Sequence, residues 1–328
     1  MSGSAIAKGF GEKALGMHIE PMGPVLGAYI HDLQLEDMDD VQFAKLRHAL
    51  VEFEVLVLRD QDLSVEGHMA LGRRFGELTV SPFSPNADAA PELIVLDNDG
   101  ANAKPLTDIW HSDETFRATP PLATILRARI VPRFGGNTMF ASMTAAYESL
   151  SERMRVYLSG LTAVHGFGRF GELLRADPER RAMLHRVENE NPMPHHPVVR
   201  VHPESSRKAI FVNPHFTARI NDVPEDESRA LLDYLFSRAL MPELQLRVSW
   251  APDTVVMWDN RSVQHYAPND YLPQRRRMER VTIRGDTPTG DKPAQVFAPA
   301  GRGFAARHTG ESVGTADSAG TSRRQFDR

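Results

Sequence analysis

The chain has 328 residues, 41% of them hydrophobic, and a formal net charge of -5, which argues against nucleic acid or an anionic membrane as a partner. It contains no cysteine, which excludes disulfides, thiolate nucleophiles and cysteine-bound zinc, so its 13 histidines carry most of any metal-binding capacity. The first residues lack the apolar core of a signal peptide and no run is long enough to span a bilayer, so we expect a cytoplasmic protein.

The N-terminal part of the chain mixes strand and helix patterns. Residues 1–14 are expected to form a flexible lead-in, followed by short strands within 17–30. Apolar residues at helical spacing predict one helix capped by Asp39 or Asp40 and a second capped by Ser64. Further strands are predicted at 55–58, 93–96, 122–130 and 137–141, and further helices at 144–150 and 151–158.

The C-terminal part contains more strands and one long insertion. Residues 166–197 are charged and carry histidines, and we expect them to form an irregular, mobile lid. A hairpin at 198–212, an amphipathic helix at 224–240 and strands at 244–250 and 254–258 follow. Residues 289–328 have the composition of a disordered tail. Many short strands with flanking helices predict a single, mainly β domain at 15–288, built as an antiparallel sandwich or barrel.

A buried strand and an arginine-rich strand flank His265 in the segment 258–286. Residues two apart on a strand face the same way, so Arg276, Met278 and Arg280 would share one face of the second strand. Two arginines that point into a barrel are costly unless they meet anions. This pattern predicts a ligand pocket.

A second group of candidate ligands lies at 110–113. His111 and Asp113 are two apart, so in an extended segment they project to the same side. With the distant His265 they would form the two-histidine, one-carboxylate triad of non-haem Fe(II) oxygenases, which leaves positions on the metal for substrates. A His-x-Asp pair alone is more often an ordinary polar feature of a surface or core. Its occurrence together with His265 and the alternating arginines favours the metal site.

Three stretches together resemble the signatures of a known enzyme family: WHSDETF at 110–116, GGNT at 135–138 and the segment 258–286. The chain is similar over about 15–288 to the taurine dioxygenase and alkylsulfatase (TauD/TfdA) family of Fe(II)/2-oxoglutarate-dependent dioxygenases. The resemblance implies a double-stranded β-helix (jelly-roll) core. It implies Fe(II), 2-oxoglutarate and O2 as cofactor and cosubstrates, and a homo-oligomer, either a dimer or a tetramer.

The resemblance also implies roles for individual residues. The iron ligands would be His111, Asp113 and His265. Arg276 matches the arginine that pairs with the distal carboxylate of 2-oxoglutarate, and Thr138 matches the threonine that hydrogen-bonds the same group. A guanidinium is the natural partner of a carboxylate in a dry pocket.

The substrate site resembles that of the family less closely. Arg280 matches an arginine that contacts the anionic group of the substrate, whereas Ser81 stands where taurine and alkyl sulfate enzymes have a histidine. Leu106 and Thr107 replace residues that approach the amine of taurine, so we expect taurine to be a poor substrate. Two aromatic residues are candidates for the pocket wall: Phe216 and Phe167.

These features predict a dioxygenase that hydroxylates a small organic anion and releases succinate and CO2. The candidate substrates are an alkyl sulfate ester, a sulfonate and an aryloxyalkanoate, and the hydroxylated product could then be cleaved. The alternative is a non-catalytic metal- or 2-oxoglutarate-binding sensor on the same scaffold. A degenerate relative would be expected to lose a ligand or the cosubstrate arginine, and this chain keeps them. Asp113 also argues against a halogenase, which needs a small residue there.

Overall fold

The computed structural model describes residues 17–82, 90–100, 107–175 and 178–291. Short strands dominate this part of the chain, in agreement with the mainly β prediction. The strands are, in chain order, β1 (His18–Pro21), β2 (Ala28–His31), β3 (Val55–Leu58), β4 (Leu93–Asn98), β5 (Pro121–Ile130), β6 (Thr138–Ser142), β7 (Thr162–His165), β8 (His195–Pro197), β9 (Val199–Val201), β10 (Lys208–Ile210), β11 (Thr217–Ile220), β12 (Gln245–Val248), β13 (Val255–Asp259), β14 (Val263–Tyr266), β15 (Arg276–Arg284) and β16 (Thr289–Gly290).

The first two helices begin where the sequence offers capping side chains. Asp39 accepts a hydrogen bond from the Gln42 amide, and the Gln42 side chain accepts one from the Asp39 amide, which is a capping box. Ser64 caps the second helix, as predicted. The helices are α1 (Asp40–Phe53), α2 (Val65–Phe75), α3 (Met143–Glu148), α4 (Glu152–Leu158), α5 (Gly168–Arg175), α6 (Pro178–Glu190) and α7 (Glu225–Ser237), with short 3-10 turns at Arg238–Leu240 and Pro242–Leu244.

A seven-stranded sheet in the order β1-β2-β3-β13-β5-β15-β4 forms the main layer, and its neighbouring strands are antiparallel except for β2 and β3. The central strand β13 is buried on both faces. Val255 and Met257 pack with the residues of α1 and α2 that cover one face of this sheet. Val256 and Trp258, which alternate with them, pack with Phe140 and other residues of the second layer. The main core therefore lies on both sides of this strand.

Three smaller sheets, of three strands each, complete the β structure: β12-β6-β14, β11-β7-β8 and β10-β9-β16. The first of them faces the main sheet, because Phe140, Val248 and Val263 share a hydrophobic core with residues of β13 and β5. This arrangement gives two facing layers, and β14, which carries His265, lies at the edge of the second layer.

Two predicted segments differ from the structure. The expected irregular region at 166–197 is largely helical, since α5 and α6 occupy most of it, and whether it acts as a lid stays a prediction. The predicted tail begins with a short strand, because β16 pairs with β9, so ordered chain continues to 291. Residues 1–14 and 292–328 lie outside the described residues. Within the described ranges, the helices are too short or too polar for any of them to cross a membrane.

Candidate metal centre

The two histidines of the predicted triad face each other across a pair of backbone hydrogen bonds. The amide of His111 donates to the carbonyl of His265 at 3.0 Å, and the amide of His265 donates to the carbonyl of His111 at 2.8 Å. On its other edge β14 pairs with β6, where His265 lies opposite Phe140. The segment around His111 is therefore joined to β14 by a single β-bridge, and the two imidazole centroids lie 4.2 Å apart.

Asp113 is held by the turn that precedes β14. Its amide donates to Oδ1 of Asn260 at 2.6 Å, and Nδ2 of Asn260 donates back to the Asp113 carbonyl at 3.0 Å. Ser112, between the two candidate ligands, donates to the carbonyl of Val263 at 2.8 Å. The next residue, Glu114, has a φ of 47° and turns the chain away. Local hydrogen bonds thus join the segments that supply the candidate ligands.

The three side chains converge on one point. Oδ1 of Asp113 lies 3.8 Å from Nε2 of His111 and 3.9 Å from Nε2 of His265. All three residues are buried, and one potential ligand atom from each lies within 4.8 Å of the others. Nδ1 of His111 donates to the carbonyl of Ile109 at 2.7 Å, which leaves the lone pair on Nε2. The donor set, two imidazoles and one carboxylate, fits Fe(II).

The charges at this point suit a cation. Burial raises the pKa of Asp113, but opposing effects, led by the Arg280 guanidinium and including a hydrogen bond from Thr124, outweigh it and lower the pKa to about 2. Burial, together with the neighbouring His111, lowers the pKa of His265 to about 3. Burial lowers the pKa of His111 as well. At neutral pH the site therefore holds an ionised carboxylate and two neutral imidazoles, the forms that bind metals.

The arginines of β15 alternate as predicted. Arg275 and Arg277 point outward and pair with Asp97 at 2.7 and 3.8 Å. Arg280 points inward, and its Nη2 lies 3.1 Å from Oδ1 of Asp113. The predicted substrate arginine is therefore next to the triad and pairs with one of the candidate ligands.

Arg276 is buried beside the GGNT turn. Its Nε donates to the carbonyl of Gly136 at 3.1 Å, and its guanidinium lies 5.8 Å from the ring centre of Trp250. Burial lowers its pKa to about 10, so it remains charged at neutral pH. Among the described residues, no hydrogen-bond partner is available for its buried Nη2. A buried cation with an unused donor suits an anionic ligand.

The same turn sets the position of Thr138. Its hydroxyl accepts a hydrogen bond from the indole Nε1 of Trp250 at 3.1 Å, so the hydroxyl proton can be donated to a ligand. Gly136 has a φ of 64°, and a Cβ at this residue would lie 3.1 Å from Cδ of Arg276. The glycine thus lets the backbone approach the arginine closely.

Aromatic side chains line the side of the triad next to His111. The ring centre of Phe216 lies 6.3 Å from that of His111, and the ring centre of His215 lies 5.0 Å from it. Phe167 lies one ring further away, with its centre 4.4 Å from that of Phe116. The two predicted aromatic residues and Phe116 belong to one hydrophobic cluster, which also contains residues of α5 and α6.

Ser81 lies after α2, on a segment that pairs with β15. Thr79, two residues earlier, donates to the carbonyl of Thr282 at 2.9 Å. The structure describes Ser81 as half-buried, and its role in substrate binding stays a prediction. Leu106 lies outside the described residues.

Two residues at the site were missed in the sequence. Thr124 donates to Oδ2 of Asp113 at 2.8 Å, and Asn260 fixes the backbone of the same residue. The only sequence signal for Thr124 was a hydroxyl among the apolar residues at the start of its strand. Asn260 stood inside the segment 258–286, but its partner, Asp113, is 147 residues away in the chain and only folding brings the two together.

Comparisons with known proteins agree with this geometry. The family description "Taurine catabolism dioxygenase TauD, TfdA family" matches residues 18–282. The alkylsulfatase of Acinetobacter baylyi is 35% identical over 278 residues, which make up 81% of this chain and 84% of that protein. The alpha-ketoglutarate-dependent sulfate ester dioxygenase of Pseudomonas putida is 34% identical over 298 residues, which make up 88% of this chain and 96% of that protein.

A solved structure gives the same result. The crystal structure of a taurine dioxygenase from Burkholderia xenovorans superimposes with a TM-score of 0.71 at 33% identity, and the match covers 84% of this chain and 93% of that chain. The family description and the relatives each extend over more than two thirds of the chain. The chain therefore belongs to the taurine catabolism dioxygenase TauD, TfdA family, and it is an oxidoreductase that depends on alpha-ketoglutarate, also called 2-oxoglutarate.

Proposed function

We propose that this dioxygenase binds Fe(II) through His111, Asp113 and His265 and hydroxylates a small organic anion. The observation that carries the proposal is the convergence of these buried ligands, with the guanidinium of Arg280 beside them. We also propose that the two facing layers form a double-stranded β-helix, because the resemblance implies that fold and the solved relative superimposes over most of the chain.

The residues around the triad would have separate roles in binding and shielding the reactants. Bound iron, together with 2-oxoglutarate and O2, would supply the oxidising chemistry. Arg276 would bind the distal carboxylate of 2-oxoglutarate, with a second hydrogen bond from Thr138. Arg280 would bind the anionic group of the substrate and so orient the carbon to be hydroxylated. The aromatic cluster around Phe216 and Phe167 would exclude water from the reacting groups.

The pocket chemistry favours an anion with an apolar tail. Arg280 supplies the positive charge, and Phe216 supplies an apolar surface near His111. Alkyl sulfate esters, sulfonates and aryloxyalkanoates all have this form, and hydroxylation beside their heteroatom would give an unstable product that cleaves. Taurine fits less well, because Leu106 and Thr107 stand where the family resemblance places residues that approach its amine, and an apolar leucine side chain cannot accept a hydrogen bond from an ammonium group.

Substrate-dependent formation of succinate tests the proposed function. The iron-loaded protein is incubated with 2-oxoglutarate, O2 and a panel of sulfate esters, sulfonates and aryloxyalkanoates, with Asp113→Ala as the control without a complete triad. We expect at least one panel compound to raise succinate formation well above the rate without substrate, and taurine to be slower than the best compound. Binding of 2-oxoglutarate without any substrate-dependent turnover would favour the alternative of a sensor.

A further inference from the structure

Thr124 lies on the face of the main sheet that turns towards the second layer. Its neighbours along β5 on the same face, Leu126 and Ala128, belong to the core between the two layers. Thr124 itself is completely buried, lying opposite Trp258 on β13 and Thr282 on β15. A hydroxyl in such a place is costly unless it has a partner. Its partner is Oδ2 of Asp113, at 2.8 Å.

The two oxygens of Asp113 have different surroundings. Oδ1 faces Nε2 of both triad histidines, at 3.8 and 3.9 Å, and Nη2 of Arg280 at 3.1 Å. Oδ2 accepts the hydrogen bond from Thr124. Because Asn260 holds the backbone amide and carbonyl of Asp113, the main remaining freedom of this residue is rotation of its side chain.

We propose that Thr124 is a positioning residue that fixes this rotation and reserves Oδ1 as the single ligand atom of Asp113. This inference rests on the proposed function. A carboxylate bound through both oxygens would take a coordination position that 2-oxoglutarate or O2 needs. A hydrogen bond from a central strand, whose backbone is paired on both sides, opposes that rotation. Thr124 therefore supports both the affinity for the metal and the open positions on it.

Metal affinity of the metal-free protein gives the first test. Binding of Mn(II), used as a redox-stable probe, is measured by calorimetry for the wild type and for Thr124→Val, which keeps the shape and removes the hydroxyl. We expect the affinity to fall roughly 10- to 100-fold in this variant and to return in Thr124→Ser. Thr254→Val is the matched control, because this equally buried hydroxyl bonds Arg59 at 2.9 Å and not the triad. Equal affinities of wild type and Thr124→Val would overturn the inference.

Infrared spectroscopy gives a second test that needs no variant at this position. With aspartate labelled at its side-chain carboxyl, the difference spectrum on Mn(II) binding reports, through the separation of the two carboxylate stretches, whether one or both oxygens bind. His265→Ala removes the site and identifies the signal. One-oxygen binding in the wild type is expected, and two-oxygen binding contradicts the inference even if Thr124→Val fails to fold. Failure of the wild type to bind Mn(II) at all would overturn the proposed function as well.

Discussion

Arg280 and Arg276 have different surroundings although they lie on the same face of one strand. Arg280 pairs with Asp113 and helps to keep that carboxylate ionised. Arg276 is buried beside Gly136 and between aromatic rings, in contact with no carboxylate of the triad. A ligand carboxylate at Arg276 would complete its hydrogen bonding. An anion at Arg280 would instead share the guanidinium with a metal ligand, so these two positions suit two different anions.

Substitution of each arginine should therefore impair a different binding step. We expect Arg276→Ala to raise the KM for 2-oxoglutarate, because a hydrogen bond to a charged group contributes about 1.5–3 kcal/mol, which is roughly 10- to 100-fold in affinity. Arg280→Ala should mainly raise the KM for the prime substrate. The outward-facing Arg277→Ala is the control and should change neither value. Steady-state succinate formation measures both constants, and equal effects of the first two changes on the KM for 2-oxoglutarate would refute this division.

For individual residues, the sequence was informative where the role requires an unusual side chain. A histidine-x-aspartate pair, a distant histidine and alternating arginines on a strand are costly or rare unless they bind something, so they could be recognised. Thr124 and Asn260 could not, because a threonine in a strand and an asparagine in a turn are common. Their importance comes only from where the folded chain places Asp113.

Among the elements, β15 and the region 166–197 represent opposite cases. On β15, residues two apart were predicted to share a face, and Arg276 and Arg280 do point inward whereas Arg277 pairs with Asp97 on the other face. In α6 the sequence is highly charged, and its buried apolar residues include only Leu184 and Val187, three apart. One such pair is too weak a periodic signal to identify a helix, which is why an irregular segment was expected. The helix is stabilised by tertiary packing, which a single sequence does not reveal.

Phe167 connects the helical region 166–197 with the site, so removing its ring should loosen this region. Phe167→Ala deletes a ring that packs 4.4 Å from Phe116, a loss of about 3–5 kcal/mol for a buried aromatic residue. We expect faster proteolytic cleavage within 166–197 and a higher KM for the prime substrate, with little change in the KM for 2-oxoglutarate. Phe75→Ala, which removes a buried ring 4.8 Å from Phe43 on the other face of the main sheet, is the matched control. If proteolytic cleavage within 166–197 is no faster in Phe167→Ala than in Phe75→Ala, a lid role is contradicted.

Over the whole molecule, several ionisable groups are buried in their neutral form. Burial lowers the pKa of His68 and of His196 to about 4, and it raises the pKa of Glu54 to about 7. The unfolded chain has imidazole pKa values near 6.5, so below that pH it binds protons that the folded histidines do not. Glu54 acts in the opposite direction, because its contribution to stability is present in acid and is lost as the pH rises through about 7.

The metal-free protein should therefore lose stability as the pH falls from 7 to 5, because the imidazoles outnumber the one glutamic acid. His68 alone should contribute about 2 kcal/mol of this loss. Urea unfolding at pH 7 and at pH 5 measures the free energy of unfolding. In His68→Gln, which can keep the hydrogen bond to Ile125, the difference between the two values should be smaller. His48→Gln, the same change at an exposed position, is the control. An unchanged difference in His68→Gln would refute the assignment.

The mainly β architecture and the grouping of the three candidate ligands were predictable from the sequence, because strand periodicity and the motif spacing agreed. The order of strands in the main sheet was not, since β13 lies between β3 and β5, which are far from it in sequence. Such long-range pairing depends on packing of the whole chain. The proposed dimer or tetramer remains a prediction of the family resemblance.

The backbone hydrogen bonds between His111 and His265 determine what happens to the site when the enzyme loses its iron. Because main-chain groups, rather than the ion, hold the two imidazoles together, a chelator can remove the cation without dismantling its ligands. On dialysis against fresh ferrous salt, the same two imidazoles would still be in position to bind the metal. Inactivation by chelation should accordingly be reversible and not a step towards denaturation.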